Sequence, residues 1–196
     1  MRKLLVLAML ALLAGAASAQ PCMGMFFSDT EFTDETTNIN PTPAPFNGYI
    51  VVQGLTMIDS VYGYEVGIDV DTSVVFILSA AGPNGWTNFG DNVNHLAGFG
   101  TPVPATDGAV VLCTLNMLYS GVSEIEIAYG PATPPSIPGF NGPVIVDGAD
   151  EDVLLQCGLT NGGSFDGGDN VVATLHGVGI TATEDHSLSS VKSLFQ

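Results

Sequence analysis

Basic residues are almost missing from this 196-residue chain: Arg2, Lys3 and Lys192 stand against twenty Asp and Glu, for a formal net charge of −17. Arg2 and Lys3 both lie in the first nineteen residues, so beyond them twenty acids meet one fixed cation and the net charge is −19. Binding nucleic acid requires Lys or Arg to replace the counterions on phosphates, and an anionic bilayer surface makes the same demand. Both partner classes are excluded. Charge of either sign is sparse as well, at 12% of residues, and mean hydropathy is +0.37. That describes a folded domain rather than a disordered acidic tail. With so few cations to pair with, most carboxylates must be solvated or must bind metal cations.

Long apolar runs are missing too. The longest, Leu4 to Ala14, is shorter than the roughly 18 residues a spanning helix needs. Arg2-Lys3 precedes it and the small-x-small triplet Ala17-Ser18-Ala19 follows it, which together form the three parts of a secretory signal. Residues 1–19 are therefore expected to be a signal peptide and the mature chain to begin at Gln20. The protein is expected to be secreted or held at the cell surface, with no membrane insertion after signal cleavage. Cys22 sits behind Gln20-Pro21, which does not fit a lipoprotein.

The sequence also lacks the marks of catalysis. There is no Gly-x-Ser-x-Gly elbow, and none of the three cysteines has a protease-like context. His95 and His176 read as edge or turn residues, and His186 lies near the C-terminus. Acids fall at turns such as Asp107-Gly108, Asp147-Gly148 and Asp166-Gly167, where turn chemistry accounts for them. The chain reads as no enzyme.

Helical periodicity is absent before residue 186, which argues against parallel crossovers. What replaces it is a series of short alternating runs separated by 24 Gly and 12 Pro, the pattern of a sandwich or barrel. Strands are expected near 22–27, 46–53, 60–70, 73–80, 94–99, 109–119, 124–129, 143–146, 152–157 and 170–176. In Glu124–Tyr129, for example, Ile125, Ile127 and Tyr129 share one face and the two glutamates the other. Residues 28–45 and the Pro-rich 131–141 read as surface loops.

The stretch Gly63-Tyr64-Glu65-Val66-Gly67-Ile68-Asp69-Val70-Asp71-Thr72-Ser73-Val74-Val75-Phe76 resembles the paired strands of cohesin modules. Downstream, Asp107-Gly108 followed by Ala109–Met117 is similar to the cohesin segment in which an Asp-Gly turn opens a long core strand. The resemblance covers about residues 46–129. It implies an all-β, jelly-roll-like β-sandwich of about nine strands over residues 20–183, and an extracellular interaction role. No residue matches a dockerin-binding signature.

Four sets of residues are candidates for function. Three cysteines allow one disulfide and three pairings. Alternation places Cys113 beside Leu115 and Met117 on an apolar face, so Cys22–Cys157 is the expected bridge. Asp147, Asp150 and Asp152 crowd one turn, as Asp166 and Asp169 do another. Without EF-hand spacing, they are either solvated turn acids or ligands of a structural Ca²⁺, the only cofactor suggested. Trp86, Tyr62 and Tyr64 are either a stacking platform for a glycan or core fillers. The partner expected is thus an extracellular protein or a glycan. Residues 184–196 form the fourth set: Leu188, Val191, Leu194 and Phe195 recur at helical period, with Lys192 toward the C-terminal end. A short amphipathic helix is expected there. The Val191-Lys192-Ser193-Leu194-Phe195 run resembles short tails on other exported bacterial proteins, which implies a sorting or docking peptide; the alternative is a frayed end or a helix packed on its own domain.

Overall fold

Period-two alternation of apolar and polar residues builds nearly every element of the chain. The structure is a computed structural model that describes residues 20–41, 44–165 and 168–177. The expected signal peptide lies outside the described residues, as does the tail with Val191, Lys192, Leu194 and Phe195.

Thirteen strands occur among the described residues: β1 Cys22–Phe26, β2 Asn38–Ile39, β3 Phe46–Gln53, β4 Ser60–Asp69, β5 Val75–Ala81, β6 Thr87–Asn88, β7 Asn94–Pro104, β8 Val110–Tyr119, β9 Ile125–Gly130, β10 Val144–Asp147, β11 Leu154–Gln156, β12 Gly158–Leu159 and β13 Val171–Leu175. Each strand expected from alternation is present. The two-residue β2 and β6 are too short to carry a periodic signal, β7 runs on to Pro104, and the run 152–157 divides into β11 and β12 around Cys157. The strand count therefore exceeds nine, while the all-β sandwich stands.

The strands form two sheets. Sheet A has the order β12-β1-β3-β8-β5, and sheet B the order β11-β10-β4-β9-β13-β2, with β7 also on β4 and β6 on β7. Pairing is antiparallel except for β1 with β12 and β13 with β2. The inner faces meet in one core that includes Ile50, Val52, Leu115 and Met117 from sheet A and Val66, Ile68, Ile127 and Ile145 from sheet B. The phenol of Tyr129 on β9 donates across the sandwich to the Gly24 carbonyl on β1, at 3.3 Å.

Local chemistry fixes the corners. Between β7 and β8 the chain leaves sheet B for sheet A through Asp107 (φ 52°) and Gly108 (φ 74°), flanked by reciprocal hydrogen bonds between Thr106 and Ala109. Two consecutive left-handed residues are what a tight primed turn requires, and Asp-Gly meets that requirement with least strain. The 28–45 segment carries a 3₁₀ turn, Asp34–Thr37, and β2. It lies against the β1 side of sheet A, where the Phe32 ring sits 5.4 Å from Phe26 and Gln53 Nε2 donates to the Phe32 carbonyl at 3.0 Å. The Pro-rich loop is tied to sheet B by Ser136, whose backbone N–H donates to Glu65 Oε2 at 3.0 Å and whose hydroxyl donates to Oε1.

Alternation along β8 has an energetic consequence. Leu115 is fully buried in the core, while Leu118 on the opposite face is only half-buried. Leu115→Ala is expected to cost about 2–5 kcal/mol in urea denaturation, and Leu118→Ala less than about 1 kcal/mol. Equal losses would contradict this register.

Candidate functional site

The three aromatic candidates do not form a platform. A bulge in the β10–β4 pairing, where Val61 and Gly63 stand opposite the consecutive Asp147 and Val146, resets the alternation along β4. Val61 and Tyr64 both enter the core, while Tyr62 stays half-exposed on the outer side of sheet B. Strict alternation would put Tyr62 and Tyr64 on one face, and the one extra residue that β4 carries at this bulge separates them. Tyr62 lines a cleft of 270 Å³ with Glu65, Phe89, Leu96 and Val146, and Phe89 there is 80% exposed. Trp86 packs on the core with its ring toward Tyr64.

Tyr64 instead belongs to a buried polar chain. Trp86 Nε1–H donates to the Tyr64 hydroxyl at 3.2 Å, and that hydroxyl lies 2.8 Å from His95 Nδ1. His95 Nε2 lies 3.3 Å from the Asn92 carbonyl. A carbonyl only accepts, so Nε2 carries the proton, Nδ1 accepts and Tyr64 donates. Every group is then satisfied with a neutral imidazole. His95 is fully buried, joining the hydroxyls of Tyr64 and Tyr129 as polar groups inside the described core, which corrects its reading as an edge or turn residue. Burial holds the imidazole below its ordinary value of 6.5, against smaller opposing effects from the Asn92 carbonyl and Asp91. Burial likewise raises Tyr64, and it pushes the neighbouring Cys113 thiol up to about 11. A thiol so protonated is no nucleophile near neutrality. His95 and Cys113 each neighbour Tyr64.

The chain of donors sets an acid limit on stability. The unfolded chain binds the His95 proton more tightly than the folded protein does, so this contribution is complete above pH 6.5 and declines as pH falls below it. Urea midpoints measured from pH 7.5 to 5.5 should drop more steeply for the natural chain than for His95→Gln. Tyr64→Phe, which strands Trp86 Nε1 and His95 Nδ1, should cost about 1–3 kcal/mol at pH 7.5. A pH slope unchanged by His95→Gln would remove His95 as its source.

The candidate metal turn uses its carboxylates locally. Asp147 Oδ1 accepts the Ala149 N–H at 2.9 Å, and Asp150 Oδ1 accepts the Asp152 N–H at 3.1 Å. No group of three or more His, Cys, Asp or Glu among the described residues is arranged to hold a metal ion. Asp166 lies outside the described residues.

Cys22 and Cys157 are brought to the same sheet edge, where β1 pairs with β12 and Cys22 stands opposite Gly158. The structure holds all three cysteines as free thiols. Cys22 is half-buried, whereas Cys113 and Cys157 are fully buried. Burial raises both Cys22 and Cys157, and Cys22 beside it raises Cys157 further. In reduced native protein Cys22 should label first, and Cys113 and Cys157 only after denaturant is added. Rapid labelling of Cys113 without denaturant would contradict the register of β8.

The feature that sequence reading missed is a distribution of charge. None of the five strands of sheet A contains a charged residue, whereas sheet B carries Glu65, Asp69, Glu126 and Asp147. The 28–37 segment lies on the β1 side of the outer face of sheet A, and the remainder is built by β3, β8 and β5. It presents Asn47, Tyr49, Thr114, Asn116 and Leu118, with Phe76 and Leu78 43% and 52% exposed. Asn116 Nδ2 donates to Asn47 Oδ1 at 3.2 Å between strands. At β5, a bulge between Ile77 and Ser79 and a 3.0 Å hydrogen bond from Asn92 Nδ2 to the Ile77 carbonyl blunt the free edge. The face is therefore more open to contact than the edge.

Comparison with known proteins places this architecture. No protein-family model matches the chain, and no curated protein matches it. Among solved structures, it is similar to a cohesin module from the family 33 glycoside hydrolase of Clostridium perfringens ATCC13124, with 10% identity and a TM-score of 0.50 over 72% of this chain and 92% of that one. A second similar structure is a type I cohesin–dockerin complex from Clostridium thermocellum, with 11% identity and a TM-score of 0.47 over 71% of this chain and 94% of that one. At that level of identity the likeness concerns the fold alone: the chain has a cohesin-like β-sandwich fold.

Proposed function

We propose that this protein is an exported, non-catalytic interaction module that meets a protein partner on the outer face of sheet A. The observation that carries the reading is an uncharged face, bearing exposed Phe76 and Leu78, on a chain whose net charge beyond residue 19 is −19. Carboxylates are abundant everywhere the chain turns, so an uncharged patch of this kind fits the desolvated centre of an interface. The cohesin-like fold supports protein interaction in general, and one of the similar structures is itself a complex with a dockerin. The signal-like N-terminus supports export. Residues 184–196 are part of the same proposal, as the segment that directs or docks the exported chain.

Two structural additions accompany this reading. A Cys22–Cys157 bridge in an oxidising compartment belongs to the same proposal, supported by Cys157 preceding Gly158, the register partner of Cys22. A structural Ca²⁺ at the Asp147–Asp152 turn would add to the module without being needed by its interaction face.

A glycan is the second reading, and Phe89 favours it. Its exposed ring beside Tyr62 is the kind of surface on which a sugar stacks. The two readings occupy opposite sheets, so substitutions separate them. Affinity capture from the source organism's envelope should retain a protein partner on the natural chain and lose it about tenfold or more on Phe76→Ala/Leu78→Ala. Phe89→Ala should leave that capture unchanged. Binding to polysaccharide that is lost with Phe89→Ala and kept with Phe76→Ala/Leu78→Ala would replace the first reading with the second.

A further inference from the structure

We infer that the exported chain carries a pyroglutamyl cap, formed when the α-amine of Gln20 closes on its own side chain. The inference rests on the export reading above, in which cleavage after Ala17-Ser18-Ala19 makes Gln20 the first residue. The reaction needs no oxidant and no co-substrate. The neutral amine nitrogen attacks Cδ of the side-chain amide, a lactam ring closes, and the bond from Cδ to Nε2 breaks. Nε2 leaves as ammonia with a proton taken from the amine, and no atom is oxidised or reduced. An α-amine ordinarily titrates at about 7.7–8.0, so roughly a tenth of it is the free nucleophile at pH 7. Amine and amide belong to one residue, so their encounter is intramolecular and has a high effective molarity.

The fold selects this ring over its competitor. An N-terminal amine beside proline has a second target, the Pro21 carbonyl, and attack there would cut the chain before Cys22. That route is closed. The Pro21 carbonyl accepts the Gly158 N–H at 2.8 Å, and the next residue, Cys22, is paired with Gln53 on β3 and Gly158 on β12. To react, this carbonyl would have to leave the sheet. Gln20 lies just outside the paired residues and is exposed, with Nε2 donating to the Gln156 carbonyl at 3.2 Å. Ring closure gives up that exposed hydrogen bond, which water replaces at small cost. The surroundings also suit a neutral terminus. Gln20 and Pro21 line an open cavity of 730 Å³ together with Leu55, Leu154 and Leu155. A terminal ammonium there must keep its water, whereas a lactam lies against apolar side chains without that demand. Asp147 lines the same cavity, and its Oδ1 already accepts the Ala149 N–H at 2.9 Å. With the cap in place, Lys192 is the only fixed cation of the exported chain.

Mass spectrometry of the chain recovered from the source organism reads the cap directly. After reduction and digestion, the N-terminal peptide should begin at Gln20 and be lighter than its sequence by one ammonia. It should also resist stepwise degradation from the N-terminus until a pyroglutamyl peptidase is added. Gln20→Ser keeps the cleavage triplet and the same start, and should show its unmodified mass and a free amine. Ammonia lost by the purified chain, at a rate independent of protein concentration, would assign closure to the chain itself. Loss confined to the host would assign it to a cyclase there, and the cap stands in both cases. A recovered chain that begins at Gln20 with a free amine would overturn the inference and leave export standing. One that begins at Cys22 would also overturn it, because Pro21 would then have been attacked instead. A recovered chain that still carries residues 1–19 would overturn the export reading, and the cap with it.

Discussion

The shortage of cations governs this structure. A carboxylate between two sheets needs a counterion or strong hydrogen bonds, since burying it alone costs several kcal/mol. With Lys192 the only Lys or Arg beyond residue 19, such counterions are almost absent. Among the described residues the one contact at salt-bridge distance joins His176 Nδ1 to Glu124 Oε2, at 2.6 Å and on the surface. The acids have therefore moved to turns, where backbone N–H groups and water satisfy them. Asp71 accepts from Ser73, Asp91 from Val93 and Asn94, and Asp147 from Ala149. A tight turn needs a short acceptor of this kind, so the same residues that cannot enter the core shape its corners.

The core is left with neutral means of specifying itself. Trp86, Tyr64, His95 and the Asn92 carbonyl form a directional chain in which each proton has one destination. It joins the loop before β6, strand β4, strand β7 and the turn that enters β7. Apolar residues of similar volume could fill that space, but they would not fix the orientation of four separate segments. A neutral chain also does this without a counterion. Its weakness is acid, because a second proton on His95 gives the imidazole a donor where it must accept.

Much of this was legible in the sequence, and the failures have physical causes. Strand β3 begins and ends where alternation places it, and the inward parity of Cys113, Leu115 and Met117 holds because that half of β8 is regular. The Asp107-Gly108 corner was legible because few dipeptides accept two left-handed residues. Alternation alone puts Tyr62 and Tyr64 on one face, but the bulge adds one residue to β4 without altering composition, and every later position then changes face. His95 was misread because a histidine between Asn94 and Leu96 looks the same from the sequence whether its partner is water or a tyrosine thirty-one residues away. The uncharged face was invisible for a different reason. Charge along the chain is uniformly sparse, and only strand order shows that the neutral strands are neighbours.

That last point bears on why the two sheets differ. Both bury one face, so packing alone asks the same of each, and sheet B shows that outward glutamate is tolerated: Glu65 is held by Ser136, and Glu126 stands on β9. Outward positions on β3, β8 and β5 face the same solvent, yet they hold Asn, Tyr, Thr, Leu and Phe. Solubility would be served better by carboxylates there, and β-propensity does not exclude them, since β4 and β9 accept them. The structure also guards the adjacent β5 edge with a bulge and the Asn92 side chain, so strand addition is discouraged beside the open face. An exposed Phe and Leu kept beside a blunted edge, on a chain with a single Lys or Arg beyond residue 19, are what the proposed interaction face rests on.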